Sequence, residues 1–173
     1  MKLTSILVTL AVAVILQVTL ARYTVGGRWV FDLVVVGVVF AGLQWGPVAG
    51  ILSGTMGGLM QDVLSGEIVG VGGLAKTVVG CAAGAVGAQF VLVKPSARML
   101  IVAGSTLVHR VIVLSLYGMI EQQWPVFAWG AMLGEIGINS IVSLFLFHAA
   151  SVLPGVMERQ RISRRSSLSR RRW

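Results

Sequence analysis

Charge is scarce in this chain: only 12% of its 173 residues are Asp, Glu, Lys or Arg, and six of these are acidic. A soluble domain of this size needs a charged exterior, and the material for one is missing. Cysteine occurs once, as Cys81, which excludes an intrachain disulfide. The two histidines, His109 and His148, stand far apart with that single cysteine as company, so no zinc-ligand spacing exists. Proline is confined to Pro47, Pro95, Pro125 and Pro154, each at the edge of an apolar run. No Ser-His-Asp set, paired-carboxylate arrangement or phosphate loop can be assembled. The run Gly70-Val71-Gly72-Gly73 lacks the preceding strand and the following Lys-Ser/Thr of a nucleotide loop. The expectation is a protein with no catalytic residues, no cofactor and no metal.

What the chain has instead is apolar surface and glycine. It is 56% hydrophobic, with 22 glycines and a mean hydropathy of +0.89. A membrane-crossing helix needs about 20 mainly apolar residues, and six such stretches can be drawn, at about 3–21, 30–43, 47–64, 68–93, 99–120 and 125–153. This predicts an all-α integral membrane protein, a compact bundle of about six transmembrane helices over residues 1–155. No second folded domain has room. The second and third stretches are short, which leaves a thinned, tilted or re-entrant arrangement open there. The first stretch can also be read as a signal peptide, because Lys2 precedes an apolar run. Its length and the lack of a clear small-x-small site favour a retained span.

The third stretch carries a row spaced by four: Gly46, Gly50, Gly54, Gly58, Asp62 and Gly66. On an α-helix that spacing gives one narrow face. Each glycine costs about 1 kcal/mol of helix propensity relative to alanine. In a membrane such rows let backbones approach closely, since packing and not hydrophobicity drives association there. The pattern recurs as Gly80 and Gly84, with Ala88 next, and as Gly130 and Gly134. Close helix packing is one reading of these rows, and a partner-, lipid- or ligand-binding groove is the other.

The formal net charge of +8 is a property of the tail, since seven of the fourteen basic residues fall between Arg159 and Arg172. Residues 156–173 combine arginine with serine and have no apolar period, the composition of a disordered cytoplasmic tail. Attraction to anionic lipid, at about 1 kcal/mol per basic residue near a surface, is its expected role, and nucleic acid is not an expected partner. Lys2, Lys94, Arg98 and the tail fall on one side of a six-span topology, against Arg22 and Arg28 on the other. The positive-inside rule then places both termini in the cytoplasm. Trp29, Trp124 and Trp129 fall near the outer interface and Trp45 near the inner one.

Five ionisable residues lie within the spans: Asp32, Asp62, Lys76, Arg110 and Glu135. Each costs about 2.5–3.5 kcal/mol at mid-bilayer on insertion scales, so a lipid-facing position is excluded for those that sit deep. Asp32, at the start of its helix, is expected to reach water and to favour the helix N-terminus. Arg110 and Glu135 sit at matched depth on neighbouring antiparallel helices, about 15 Å below the surface, with Asn139 one turn further as a donor. An ion pair that fixes packing is the bland reading, and a proton or substrate path the sharper one. Lys76 can snorkel toward Asp62 across the Ser65–Ile68 turn. His109 and His148 read as hydrogen-bonded bundle residues.

The run Gly50-Ile-Leu-Ser-Gly54, Gly57-Gly58-Leu-Met-Gln-Asp62-Val-Leu-Ser65-Gly66, Gly70 and Leu74 to Gly80 resembles the bacterial rod shape-determining protein MreD family. The arginine tail, Lys76 and Arg110 depart from that pattern. The resemblance implies a non-enzymatic component of the inner membrane, multi-pass, in the rod elongation machinery. It would support cell shape and lateral peptidoglycan synthesis. The implied partners are an MreC-like periplasmic coiled-coil protein, a penicillin-binding transpeptidase, RodA and, indirectly, MreB. It also implies a fold similar to the substrate-binding subunits of energy-coupling-factor transporters. In this reading Asp62 and its turn organise a groove for a partner helix. The alternative is that the chain is itself such a vitamin-binding subunit. A small ion-coupled carrier using Arg110 and Glu135 lacks the internal repeat expected of many such folds.

Overall fold

The computed structural model describes Ala13, Ile15, Gln17 and residues 31–90, 95–122 and 129–148. Five helices run through these residues: α1 (Leu33–Trp45), α2 (Pro47–Ser65), α3 (Val71–Gln89), α4 (Pro95–Glu121) and α5 (Trp129–His148). Ala13, Ile15 and Gln17 are helical as well. The remainder of the expected first span, Arg22, Arg28, Trp29, Lys94, Trp124 and the basic tail lie outside the described residues.

Local chemistry sets the helix ends. Asp32 caps α1, its carboxylate accepting from Val35 N at 3.0 Å. Gly46 separates α1 from α2 with φ at 92°, and Pro47 opens α2 where its missing N–H costs nothing. Gly66 closes α2 in the left-handed region at φ 70°, a conformation that glycine adopts without a Cβ penalty. Gly66 and Gly70 occupy the turn between α2 and α3, so α3 is narrower than the expected 68–93 stretch. It stops at Phe90, whose backbone is extended. In the next helix Pro95 starts the first turn, four residues before the expected start at 99.

Helix α1 is the centre of the packing. Every position from Val34 to Gly42 is buried, the signature of a helix that is apolar all round. Its five valines are indifferent helix formers, and burial overrides that preference. The central row of glycines explains how α1, α2 and α3 come so close. A Cβ on Gly50 or Gly54 would collide with the backbone carbonyls of Gly80 and Lys76, and one on Gly58 would lie 2.5 Å from Gly73 Cα. From α1, Gly42 faces Gly80 O at 2.7 Å by the same construction. Thr55 and Thr77 add a hydroxyl pair at 2.8 Å across α2 and α3. The glycine face of α2 is therefore filled by α3 of the same chain and leaves no groove for an outside helix.

The ends of the glycine rows behave differently from their middles. Gly46 and Gly66 have open space around them and serve as helix caps, because the helix does not extend through them. On α3 the row continues from Gly84 to Gly87, which meets Leu43 O, and not to the exposed Ala88. Gly130 faces open space.

Polarity is turned inside out relative to a soluble domain. Large apolar side chains of α2, among them Leu52, Met60 and Val63, are exposed, while its Ser53, Gln61 and Asp62 are buried. On α4 and α5, Leu100, Val111, Leu133 and Phe145 point outward, and Thr106, His109, Glu135 and Asn139 point inward. Among the described residues, α3, α4 and α5 are long and apolar enough to cross a membrane. Helix α1 is apolar but has 13 residues, about 20 Å against a hydrocarbon core of about 30 Å. This is a helical membrane protein. The end of the bundle opposite the α2–α3 turn is aromatic. There Phe40 contacts Trp45 and Phe147, with ring centroids 5.8 and 5.1 Å apart, and the Arg98 guanidinium lies 4.9 Å over the Phe147 ring.

The packing yields a contrast between glycines. Gly80→Ala should lower the stability of the detergent-purified protein by about 1–3 kcal/mol, the cost of an overpacked contact that backbone cannot relieve. Gly104→Ala, at an exposed position of α4 with nothing near its Cβ position, should raise it by about 0.4–1 kcal/mol. Thermal unfolding midpoints of the two variants check this.

Candidate functional site

The polar residues gather toward the end of the bundle that carries the α2–α3 turn. Asp62 works on both sides of that turn. Its backbone carbonyl accepts from Gly66 N and Glu67 N, closing α2. Its carboxylate Oδ2 accepts from Gly70 N at 2.8 Å and Gly73 N at 3.1 Å, meeting two of the donors that a helix start leaves unpaired. Gly72 lies close beside it, where a Cβ would press on Asp62 Oδ1. The expected contact between Asp62 and Lys76 is not formed: helix N–H groups hold the carboxylate, and Lys76 turns inward.

Lys76 is 2% exposed, and its ammonium lies 2.9 Å from Asp32 Oδ2 and 3.2 Å from His109 Nε2. Asp32 does stand at a helix N-terminus, but it is 6% exposed and does not reach water as expected. Around it the start of α1 is held by residues remote in sequence. Gln17 takes Leu33 N at 2.8 Å and donates to Phe31 O at 3.0 Å. Asn139 accepts from Asp32 N at 3.1 Å and donates to Thr106 at 3.3 Å. Gln61 donates to Asp32 Oδ2 at 3.4 Å. Residue 17 and all five helices therefore converge on the first turn of α1.

Arg110 and Glu135 do lie together, with Nε to Oε2 at 3.9 Å, and the Arg110 side chain is 36% exposed. This contact sits at the outer limit of an ion pair and is looser than the Asp32–Lys76 pair. Asn139, expected as a donor beside Glu135, is committed to Asp32 and Thr106. Gly50, Gly54, Gly58, Gly80 and Gly84 lie in the helix contacts, with Gly54 against the Lys76 backbone and Gly58 against Gly73. His109 is buried against Lys76, and His148 is exposed near the end of α5.

Asp32, Lys76, His109, Arg110 and Glu135 border a cavity of about 270 Å³. Its buried wall is made by Gln17, Asp32, Gln61, Lys76, His109 and Glu135, and its exposed rim carries Glu67 and Glu121. Four of these, Gln17, Gln61, Glu67 and Glu121, were not candidates from the sequence. Neutral amides carry no charge signal, although one glutamine inside each of two apolar runs was a readable one. No cluster of three metal-ligating side chains occurs among the described residues.

The family model of the rod shape-determining protein MreD matches residues 1–147 of the chain. No curated protein and no solved structure matches it. The vitamin-transporter alternative and the expected likeness to energy-coupling-factor subunits draw no support from these comparisons.

Substitution separates the charge of the Asp62 carboxylate from its capping hydrogen bonds. Asp62→Ala should destabilise by about 1–2 kcal/mol, the cost of a lost N-cap. Asp62→Asn, which still presents a capping oxygen, should cost less than half of that. Equal losses in thermal unfolding of the two variants would assign the effect to the charge and not to the cap.

Proposed function

This chain belongs to the MreD family of rod shape-determining proteins, and from that premise we propose that it is a non-enzymatic scaffold of the bacterial rod complex. In this reading it spans the inner membrane six times with both termini in the cytoplasm, and supports lateral peptidoglycan synthesis by holding membrane partners. Those partners are an MreC-type periplasmic coiled-coil protein and, through the assembled complex, a penicillin-binding transpeptidase, RodA and MreB. The observation that carries the reading is the family match along residues 1–147.

The geometry supports a scaffold through its rigidity. Close glycine packing joins α1, α2 and α3, and the hydrogen-bonded cluster at Asp32 ties the helices at one end. Because α3 fills the glycine face, partner helices would meet the apolar exterior of the bundle, where Leu52, Met60 and Val63 stand on α2. Association of helices in lipid rests on van der Waals packing and not on hydrophobicity. The arginines after Glu158 would hold the tail at anionic lipid and would not be needed for assembly.

Purification of the tagged full chain from native membranes in mild detergent, with mass spectrometry of its companions, tests this. The expected result is recovery of a periplasmic coiled-coil protein together with a transpeptidase, unchanged when the chain is truncated after Glu158. Recovery of two ATPases and a coupling membrane subunit would overturn it.

A further inference from the structure

The cavity beside the Asp32–Lys76 pair has properties that packing alone does not require. Its lining gathers ionisable side chains from α1, α3, α4 and α5, with Asp32, Lys76 and Glu135 buried and Arg110 half-buried. An ionisable group inside a membrane protein costs about 2.5–3.5 kcal/mol at mid-bilayer on insertion scales, so such a lining favours a polar occupant over an apolar one.

The charges on the lining specify that guest. Asp32 and Lys76 neutralise each other at 2.9 Å. Arg110 reaches Glu135 only through Nε at 3.9 Å, and among the described residues its guanidinium makes no hydrogen bond. The fork of its remaining N–H groups suits an oxyanion. On the rim, Glu67 and Glu121 have no ion pair among the described residues. A bare anion would meet a lining with more carboxylates than cations, and a bare cation would leave the guanidinium unmet.

We propose that this cavity binds a small zwitterion, a primary ammonium joined by a short chain to a phosphate ester or carboxylate. The anionic end lies against Arg110, and the ammonium lies between Glu67 and Glu121. The volume, about 270 Å³, is below the range of about 300–1,000 Å³ usual for drug-sized ligands and suits a group of this size. Val113 and Leu114 supply apolar lining for the connecting methylenes. Two sources share this chemistry, the headgroup of phosphatidylethanolamine and a free aminoalkyl phosphate or amino acid. The inference goes beyond the scaffold reading and does not depend on it.

The test uses the full chain in detergent, with native mass spectrometry and thermal shift. The probes are dilauroyl phosphatidylethanolamine, the matching phosphatidylcholine and phosphatidylglycerol, and soluble O-phosphoethanolamine. Expected is binding of the ethanolamine lipid over choline, which has no N–H, and over glycerol, which has no cation. Affinity should fall about tenfold in Arg110→Gln and in Glu121→Gln, the loss of one charge-assisted hydrogen bond each. Glu121 is exposed at the end of α4, so its variant reports on binding even where Arg110→Gln perturbs folding. Competition by O-phosphoethanolamine assigns the site to a free zwitterion, and retention of the lipid without competition assigns it to the bilayer. Equal binding of the three lipids, no binding of any probe, or unchanged affinity in Glu121→Gln would overturn the proposal. Failure here with intact partner recovery would leave the scaffold reading standing.

Discussion

A lysine ammonium buried beside an aspartate at the start of α1 is the constraint on which this structure depends. Lys76 is 2% exposed, and an isolated charge there would carry a desolvation cost of several kcal/mol. That cost is offset only while Asp32 stays within hydrogen-bond distance and its own remaining valences are met. Each of those conditions recruits another part of the chain: Val35 N on α1, Gln61 on α2, His109 on α4 and Asn139 on α5. Gln17 satisfies the neighbouring Leu33 N. The pair thereby specifies how the helices are arranged as much as how strongly they hold.

The glycine contacts and the polar cluster solve two halves of one problem. In lipid, apolar surface gives little reason for helices to associate, so stability must come from close packing and from polar groups that have nowhere else to go. Gly42, Gly50, Gly54, Gly80 and Gly84 bring three backbones into contact along their length. Helix α1 is buried on every side as a result, which a helix of 13 residues needs if it is to sit in a membrane thicker than itself. The polar cluster then fastens the end of the bundle opposite the Phe40, Trp45 and Phe147 group. A cavity of about 270 Å³ adjoins that cluster.

Much of the fold was legible because helix starts and stops have local chemistry. Pro47, Gly66 and the long apolar runs mark their own elements, and the Asp-x-Leu-Ser-Gly turn carried the family resemblance. The period-four row of glycines also pointed to close contact, but a period cannot reveal where a helix ends. Gly46 and Gly66 fit the row and are caps, and Gly87 takes the contact that the spacing gave to Ala88. The pairing of charges was harder. Arg110 and Glu135 could be matched by depth on consecutive helices. Asp32 and Lys76 belong to helices separated by all of α2, and Lys76 turned from a near acid, Asp62, that helix N–H groups had already claimed. Gln17 and Gln61 carry no charge, and a glutamine inside an apolar run was the one local signal they gave.

The most direct measurement of the central claim is a double-mutant cycle on the buried pair, read by equilibrium unfolding of the full chain in detergent. Asp32→Asn and Lys76→Met should each destabilise by about 3–5 kcal/mol, because each leaves one charge buried without its partner. The double variant should be more stable than the sum of the two losses implies, with most of the single-variant cost recovered. Strictly additive losses, or single variants within about 0.5 kcal/mol of the parent, would show that the bundle does not depend on this pair.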